Sequence, residues 1–172
     1  MAIKPIQTRY KGYRFRSRLE ARWAVFFDTL GLDWEYEPEG FELKSGRYLP
    51  DFKVHYPGGD SETWFECKSS LNSLSPNDLA RLLEFEEAKN LIILDGTPDC
   101  RMYVTPSAYR DHPDWYTKHD RFGAALWSAK ERIWWDEYEN FFGCKDYYWA
   151  AKYITRAVEA ARSARFEHGE AP

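Results

Sequence analysis

An acid and an amine stand two residues apart in segment 63–68, whose alternating polar and apolar residues predict a β-strand. Side chains two apart in a strand share one face, so Glu66 and Lys68 lie together. Segment 48–56 alternates in the same way and places Asp51 opposite its own apolar residues. If the apolar faces of both strands cover one core, the two acids and the amine converge on the other, outward surface.

This convergence defines a candidate site for a divalent cation. Neighbouring carboxylates repel each other unless a cation joins them, and Mg²⁺ prefers oxygen ligands. A nearby ammonium could orient an attacking water while the cation stabilises charge on a phosphorane, so the chemistry predicted is metal-assisted phosphodiester hydrolysis. The spacing leaves equally open a plain surface ion pair between Glu66 and Lys68.

Order and context distinguish these residues from other copies of the same short patterns. Pro-Asp occurs three times in the chain, and Glu-x-Lys also occurs three times. Only Asp51 with Glu66 and Lys68 falls on two predicted neighbouring strands with outward acids in register.

A third acid, Glu20, stands near the start of the first predicted helix, which covers about 18–30. Ser17 lies three residues before it, and this capping-box spacing alone would explain the acid. However, Glu20 shares a helix face with Trp23 and Phe27, toward the core, where an unpaired charge is costly. A metal or a metal-bound water beside Glu20 would remove that cost, and both interpretations stay open.

The elements that would position these residues form a core of order α-β-β-β-α-β, with one further short strand among the four predicted between its two helices. After the first helix, short aromatic-rich runs separated by turns predict strands at 34–38, 41–44, 48–56 and 63–70. A helix at 76–89 and an apolar strand at 91–94 complete a βαβ crossover, which makes its two strands parallel. We therefore expect an α/β fold with a mixed sheet and flanking helices.

The chain changes character at about residue 106. Aromatic residues follow there at irregular spacings, and an alanine-rich helix is predicted at about 146–166. We divide the chain into a core with a basic N-terminal arm, 1–105, and an aromatic-rich helical extension packed on it, 106–172. The aromatic residues of the extension are interpreted as its own core rather than as a surface that stacks on bases.

Composition restricts the classes of function. The length of 172 residues suits one domain, and 44% hydrophobic with 18% aromatic residues excludes a disordered chain. A net charge of -4 excludes a generic basic coat, so any polyanion site must be a local patch. Three cysteines without a CxxC pair and four scattered histidines argue against zinc, an iron–sulfur cluster and a disulfide framework. Without an apolar run that could span a bilayer or a signal-peptide pattern, we expect no membrane partner and a cytoplasmic location.

The one strongly basic segment is residues 1–18, with six basic residues and no acid. Such a run is usually a solvated tail. Its place directly before the Glu20 helix would instead bring it to the acids, where it could hold phosphates. The candidate DNA contacts are Lys11, Arg14, Arg16 and Arg18 of this arm and Lys53 near Asp51.

The runs FRSRLEARW, LGLDWEYEPEGF, YLPDF and FECKSS together resemble the PD-(D/E)xK nuclease superfamily. Residues 15–70 are similar to phage-encoded junction-resolving endonucleases of the endonuclease I type, and also to the endonuclease subunit of heteromeric transposases. The resemblance extends to about residue 95 and leaves the C-terminal region unmatched. It implies a restriction-endonuclease-like core.

The resemblance also implies a role for each site residue. Asp51, Glu66 and the backbone carbonyl of Cys67 would hold Mg²⁺, for which Mn²⁺ is the expected substitute. Glu20 would bind a second metal or its water, and Lys68 would position the nucleophile. The chain lacks the cysteine quartet of iron–sulfur relatives and has no glutamine after Lys68, which disfavours processive exonuclease behaviour.

The expected function is therefore that of a Mg²⁺-dependent DNA endonuclease of phage or mobile-element origin, in the host cytoplasm if phage encoded. An acidic protein with one basic patch and no recognisable base-reading module suits branched or distorted DNA, such as a Holliday junction. Symmetric cutting of a junction would require a homodimer. Two alternatives remain. The first is a catalytically silent nuclease-fold module that binds DNA, or that binds a protein and acts against a host defence system. The second is a transposition-type nuclease that a partner protein directs to its target.

Overall fold

A five-stranded mixed sheet with helices on both faces forms the centre of this α/β fold. The computed structural model describes residues 6–55, 62–98, 103–111 and 147–166. The strands in these ranges are β1 (Thr8–Tyr10), β2 (Tyr13–Phe15), β3 (Asp33–Tyr36), β4 (Phe41–Leu43), β5 (Gly46–Tyr48), β6 (Phe52–His55), β7 (Glu62–Lys68), β8 (Leu91–Asp95) and β9 (Tyr103–Val104). The helices are α1 (Arg18–Thr29), α2 (Pro76–Glu86), α3 (Pro106–Asp111) and α4 (Tyr147–Ser163), with a short 3-10 helix at Leu71–Ser73.

The central sheet has the strand order β3-β6-β7-β8-β9. Strands β6 and β7 are antiparallel, whereas β7 and β8 are parallel and joined by α2. The predicted mixed sheet and βαβ crossover are therefore confirmed. Ser75 caps α2 by accepting a hydrogen bond from the Asp78 amide, and a proline begins the helix as the sequence predicted.

Apolar clusters cover the central sheet on both faces. On one face, α1 and α4 pack against β6, β7 and β8 through residues that include Phe27, Phe52 and Phe65. On the other face, α2 and the β4–β5 hairpin bury Trp64 and Ile93. The surface expected to point outward at Asp51 and Glu66 is thus covered, and that expectation is wrong. Alternation identified the two faces of the strands but not the elements that pack on each.

Helix α1 follows its sequence signals closely. Ser17 has extended backbone angles, and its hydroxyl accepts a hydrogen bond from the Glu20 amide at 3.2 Å. The helix ends two residues before Gly31, whose φ of +70° suits glycine. Trp23 and Phe27 are fully buried, which confirms the predicted apolar face.

The basic N-terminal segment is folded and is not a solvated tail. Strands β1 and β2 form an antiparallel hairpin around Lys11 and Gly12, both of which have positive φ angles. Such a pair suits a two-residue turn whose twist matches the strands. Phe15, at the end of β2, is fully buried in the core cluster, so the hairpin belongs to the folded core.

The single strand expected at 48–56 is also wrong. Strand β5 ends at Tyr48 and pairs with β4 in a separate hairpin, whereas β6 begins at Phe52 and joins the central sheet. Pro50 lies between them, and proline cannot donate to a strand ladder. Because of this break, Asp51 lies between the β4–β5 hairpin and the central sheet, directly before β6.

The C-terminal part contains two described helices. Helix α4 lies where the alanine-rich helix was predicted, and its Ala157, Val158 and Ala161 belong to the same buried cluster as α1. Strand β9 and helix α3 were not predicted. Residues 112–146 lie outside the described ranges, and so do the aromatic residues predicted there. Among the helices described, none is long and apolar enough to cross a membrane.

Candidate functional site

The four predicted site residues meet near the carboxyl end of β7. Glu66 and Lys68 belong to the last part of that strand. Asp51 directly precedes β6, one residue beyond the cross-strand pair of Phe52 and Phe65, and this register places it opposite Glu66. Glu20 lies in the first turn of α1.

Burial distinguishes these acids from the other acidic residues. Glu20 is 8% exposed, Asp51 is 5% exposed and Glu66 is 7% exposed, and they are the buried acidic residues of the described chain. Carboxylates are rarely buried unless they are paired or bind a cation. The three acids that the sequence pattern singled out are therefore also the three whose positions require an electrostatic explanation.

Asp51 accepts two hydrogen bonds from neighbouring segments. Its Oδ2 accepts one from the Cys67 amide at 2.7 Å, and its Oδ1 accepts one from the Arg16 guanidinium at 3.2 Å. Burial and the negative charges of Glu66 and Glu20 nevertheless raise the pKa of Asp51 well above its ordinary value. The carboxyl group therefore favours either a proton or an additional cation.

Glu66 is held from two sides. Its Oε1 pairs with the Lys68 ammonium at 2.7 Å, and its Oε2 accepts a hydrogen bond from the Tyr48 hydroxyl at 2.9 Å. Burial and the nearby Glu66 charge raise the pKa of Tyr48, so the phenol stays neutral and donates. The ion pair of Glu66 and Lys68 exists, but it is largely buried and is not the surface pair of the alternative interpretation.

The amine of Lys68 is held in its charged form. Burial alone would lower the pKa of Lys68, but the charge and hydrogen bond of Glu66 outweigh burial and raise it. The Lys68 side chain is 28% exposed, so its ammonium can still reach a bound molecule. This group is suited to donate hydrogen bonds and not to accept a proton.

Glu20 accepts three hydrogen bonds close to the start of α1. Its Oε1 accepts one from the Ser17 hydroxyl at 2.6 Å, and its Oε2 accepts one from the Arg16 amide at 3.0 Å. The Tyr36 hydroxyl also donates to Oε2, at 2.5 Å. The capping interpretation is supported, with the donor amide one residue before the expected position. The electrostatic effect of Glu20 on Asp51 also places it at the site.

The predicted DNA contacts lie in different places. Arg16 reaches the site, where its guanidinium bridges Asp51 and Glu37. Lys11 instead pairs with Asp28 toward the other end of α1, at 2.9 Å. Arg14 donates to Gln7, Lys53 pairs with Glu62 at 2.7 Å, and Arg18 lies half-buried at the start of α1. Arg16 is thus the predicted DNA contact that the structure brings to the acids.

Two tyrosines and one acid of the site were not predicted. Tyr48 holds Glu66, Tyr36 holds Glu20, and Glu37 shares the Arg16 guanidinium with Asp51. Tyr36 and Tyr48 end short strands, and the sequence indicated them only as aromatic residues of strand-forming runs. Their polar role depends on which acids the tertiary fold brings to their hydroxyl groups.

The donor set suits a hard divalent cation. Asp51, Glu66 and the Cys67 carbonyl would offer oxygen ligands, which Mg²⁺ prefers together with retained waters. Three buried carboxylates lie near two cationic side chains, Arg16 and Lys68. The remaining negative charge of the carboxylates would compensate the charge of a bound cation. In the described ranges, no three His, Cys, Asp or Glu side chains form a metal-ligand group. A site of two carboxylates and one carbonyl does not require such a group.

The described cysteine and histidine have other surroundings. Cys67 is a free, partly buried thiol packed against the core cluster, as its alternation predicted, and burial raises its pKa. His55 pairs with Glu35 at 2.6 Å on the edge strand pair. The remaining cysteines and histidines lie outside the described ranges.

Comparison with protein-family models, with curated proteins and with solved structures found no match to this chain. The function is therefore inferred from the chemistry of the site.

Proposed function

We propose that this protein is a metal-dependent DNA endonuclease with a restriction-endonuclease-like core. One observation carries the proposal: the three buried acidic residues of the described chain are Glu20, Asp51 and Glu66, the acids of the PD-(D/E)xK pattern. The strand order supports the same proposal, because Glu66 lies near the end of β7, beside the parallel strand β8, and Asp51 lies opposite Glu66.

The metal and its ligands follow from the donor set. Asp51, Glu66 and the Cys67 carbonyl would hold Mg²⁺ or Mn²⁺, and Glu20 would hold a second ion or its water. When bound, the metal supplies Lewis-acid stabilisation of the charge that develops on the phosphate. The raised pKa of Asp51 supports cation binding here, because a metal would replace the proton that the carboxyl favours.

The other side chains of the site have distinct tasks in this proposal. Lys68, kept as an ammonium by Glu66, donates hydrogen bonds that orient the attacking water and contact the phosphate. Tyr48 fixes the second oxygen of Glu66 and so limits its orientation. Arg16, whose side chain is 57% exposed, exchanges part of its contact with Asp51 for a phosphate of the substrate.

The finer substrate proposal is branched DNA cut by a homodimer. It rests on the acidic composition, on the resemblance to junction-resolving endonucleases, and on the concentration of basic residues at the N-terminal hairpin and the start of α1. Such a protein would recognise the shape of its substrate through phosphate contacts more than through base edges.

A second candidate function is a catalytically silent DNA-binding or protein-binding module. The observation that favours it is that every carboxylate oxygen of Glu20, Asp51 and Glu66 already accepts a hydrogen bond from a protein donor. Each carboxylate oxygen has a second lone pair that a metal could use, but the donors around it compete for the same charge. A transposition-type nuclease directed by a partner protein would share the metal site and differ in its need for that partner.

One experiment separates these functions. Purified protein is incubated with supercoiled, linear, single-stranded and four-way-junction DNA in Mg²⁺, Mn²⁺, Ca²⁺ or EDTA, and light scattering gives its mass. We expect junction cleavage in Mg²⁺ and Mn²⁺, none in EDTA, and cleavage reduced by about 10²-fold or more with Lys68→Ala. Binding without cleavage in every metal would favour the silent module, and equal cutting of junction and linear DNA by a monomer would favour the partner-directed nuclease.

A further inference from the structure

A cation of the chain itself contacts Asp51. The Arg16 guanidinium donates to Asp51 Oδ1 at 3.2 Å. The backbone of Arg16 is fixed, because its amide donates to Glu20 Oε2 at 3.0 Å and to the Tyr36 hydroxyl at 3.1 Å. The Arg16 side chain is 57% exposed, whereas Asp51 is buried. The guanidinium therefore reaches a buried carboxylate from the solvent side and has room to withdraw from it.

Glu37 provides a second carboxylate for the same guanidinium. Its Oε1 is buried and pairs with Arg16 by charge, and within the described ranges it accepts no hydrogen bond. The Glu37 amide donates to the backbone carbonyl of Asp51 at 2.9 Å, which fixes the two acids relative to each other. Glu37 also has a φ of +46°, in the left-handed region that non-glycine residues rarely adopt. A strained turn thus holds both carboxylates against one guanidinium.

Arg16 and a divalent cation would compete for the charge of Asp51. The guanidinium of arginine stays charged at any pH at which a nuclease would act. Each oxygen of Asp51 has a second lone pair, so the hydrogen bond from Arg16 does not by itself exclude a metal. However, two cations that share one carboxylate repel each other. The affinity of Asp51 for a metal therefore depends on how far the guanidinium can withdraw toward Glu37.

We propose that Arg16 competes with the metal for Asp51, and that Glu37 holds the guanidinium when the metal is bound. The proposal rests on the proposed function, since it assigns the control of metal occupancy at the same site. Without metal, Arg16 neutralises part of the charge of the buried acids. With metal, the guanidinium remains at Glu37, where its free donors can bind a phosphate of the substrate. Arg16 and Glu37 are thus positioning residues that link metal binding to substrate binding.

The test measures Mn²⁺ affinity in the absence of DNA by electron paramagnetic resonance at constant ionic strength. Arg16→Gln removes the competing charge but keeps a hydrogen-bond donor, and Arg16→Lys keeps the charge. Arg14→Gln is the matched control, because Arg14 is exposed in the same hairpin and donates to Gln7. Ions bound at the site are those lost in Asp51→Asn. Circular dichroism and thermal unfolding verify that each variant is folded.

We expect Arg16→Gln to bind Mn²⁺ several-fold more tightly than wild type. Arg16→Lys should stay closer to wild type, and Arg14→Gln should change little. A merely structural role of Arg16 would lower stability without raising metal affinity. Unchanged or weaker Mn²⁺ binding by Arg16→Gln would overturn the competition.

A double-mutant cycle tests whether Glu37 acts through Arg16. Glu37→Gln should weaken Mn²⁺ binding several-fold, because the guanidinium then has only Asp51 as a charged partner of this pair. In the Arg16→Gln background the same change should have little effect. Glu39→Gln, at an exposed acid two residues later, is the control. An equal loss in both backgrounds, or no loss in either, would overturn the role of Glu37. Glu37→Gln leaves Arg16 in place, so this arm remains decisive if Arg16→Gln does not fold.

The outcomes separate this inference from the proposed function. If the wild-type protein binds Mn²⁺ and cuts DNA while Arg16→Gln does not raise Mn²⁺ affinity, the competition is wrong and the nuclease proposal stands. If Arg16→Gln raises Mn²⁺ affinity but the wild-type protein never cuts DNA in Mg²⁺ or Mn²⁺, the competition stands and the nuclease proposal is wrong. Absence of Mn²⁺ binding at the site in wild type and in every variant would overturn both.

Discussion

Replacing Asp51 by asparagine should make the stability of the metal-free protein less sensitive to pH. Burial and the charges of Glu66 and Glu20 raise the pKa of Asp51 in the folded state above its unfolded value. Between those two values the folded state binds more protons than the unfolded state. The free energy of unfolding therefore falls as the pH rises through this window, which begins near pH 4. Asparagine does not titrate, so the variant lacks this loss.

The size of the effect is bounded by one proton. A difference of one bound proton changes the free energy of unfolding by at most about 1.4 kcal/mol per pH unit. For a chain of this length that corresponds to roughly 3–5 °C in Tm per pH unit. Asparagine can still accept the Cys67 hydrogen bond, but its amide then faces the Arg16 guanidinium, at a cost of about 1–3 kcal/mol. This cost lowers the Tm of the variant without changing how its Tm varies with pH.

Thermal unfolding of wild type and Asp51→Asn between pH 5 and pH 8 in EDTA measures this difference. We expect the Tm of the variant to gain on that of wild type as the pH rises, and Mg²⁺ to stabilise wild type far more than the variant. Asp33→Asn, at an exposed residue of β3, is the matched control. Parallel curves for wild type and Asp51→Asn would refute the raised pKa, and equal stabilisation by Mg²⁺ would refute Asp51 as a ligand.

Three further substitutions test the neighbouring groups. Lys68→Ala should reduce cleavage by about 10²-fold or more while DNA affinity in Ca²⁺ changes little, because the lost ammonium acts on the reacting groups. Lys89→Ala, whose ammonium pairs with Glu62, is its control. Normal cleavage by Lys68→Ala would remove this role. Tyr48→Phe should lower the free energy of unfolding in urea by about 1 kcal/mol, because Glu66 loses a hydrogen-bond donor. It should also weaken Mn²⁺ binding, measured by electron paramagnetic resonance. Unchanged Mn²⁺ affinity would mean that Tyr48 does not position Glu66. Glu20→Gln should lower both cleavage and stability, the latter by about 1–3 kcal/mol, because the amide nitrogen replaces one acceptor oxygen. The variant loses either the bond from Ser17 or the bonds from Arg16 and Tyr36. Full stability in urea would contradict the capping role of Glu20.

The elements predicted correctly from the sequence have local causes. Ser17 and Ser75 start their helices through side-chain bonds to amides three residues later, and these are contacts within a few residues of the chain. The strand at 91–94 is apolar throughout because both faces of a parallel strand are covered. In each case the signal and the structure lie within one segment, so spacing alone was sufficient.

The features that sequence reasoning missed depend on contacts between distant segments. The hairpin at Lys11 and Gly12 is a local exception, which was missed because lysine is not a preferred residue for the positive φ that it adopts there. The separation of Tyr48 from β6 follows from pairing with β4, and the same pairing brings its hydroxyl to Glu66. Alternation could place Asp51 and Glu66 on one face, but the cover over that face comes from other parts of the chain.

Burial changes the meaning of the ion pair between Glu66 and Lys68. An exposed pair contributes little to stability and needs no function to explain it. Here the pair lies among three buried carboxylates, where desolvation and mutual repulsion oppose folding. Well-packed apolar side chains of similar volume are often as stabilising as a buried ion pair or more so. Stability of the fold therefore does not account for Glu20, Asp51 and Glu66 together, whereas a cation that neutralises them and a phosphate that Arg16 and Lys68 attract would do so.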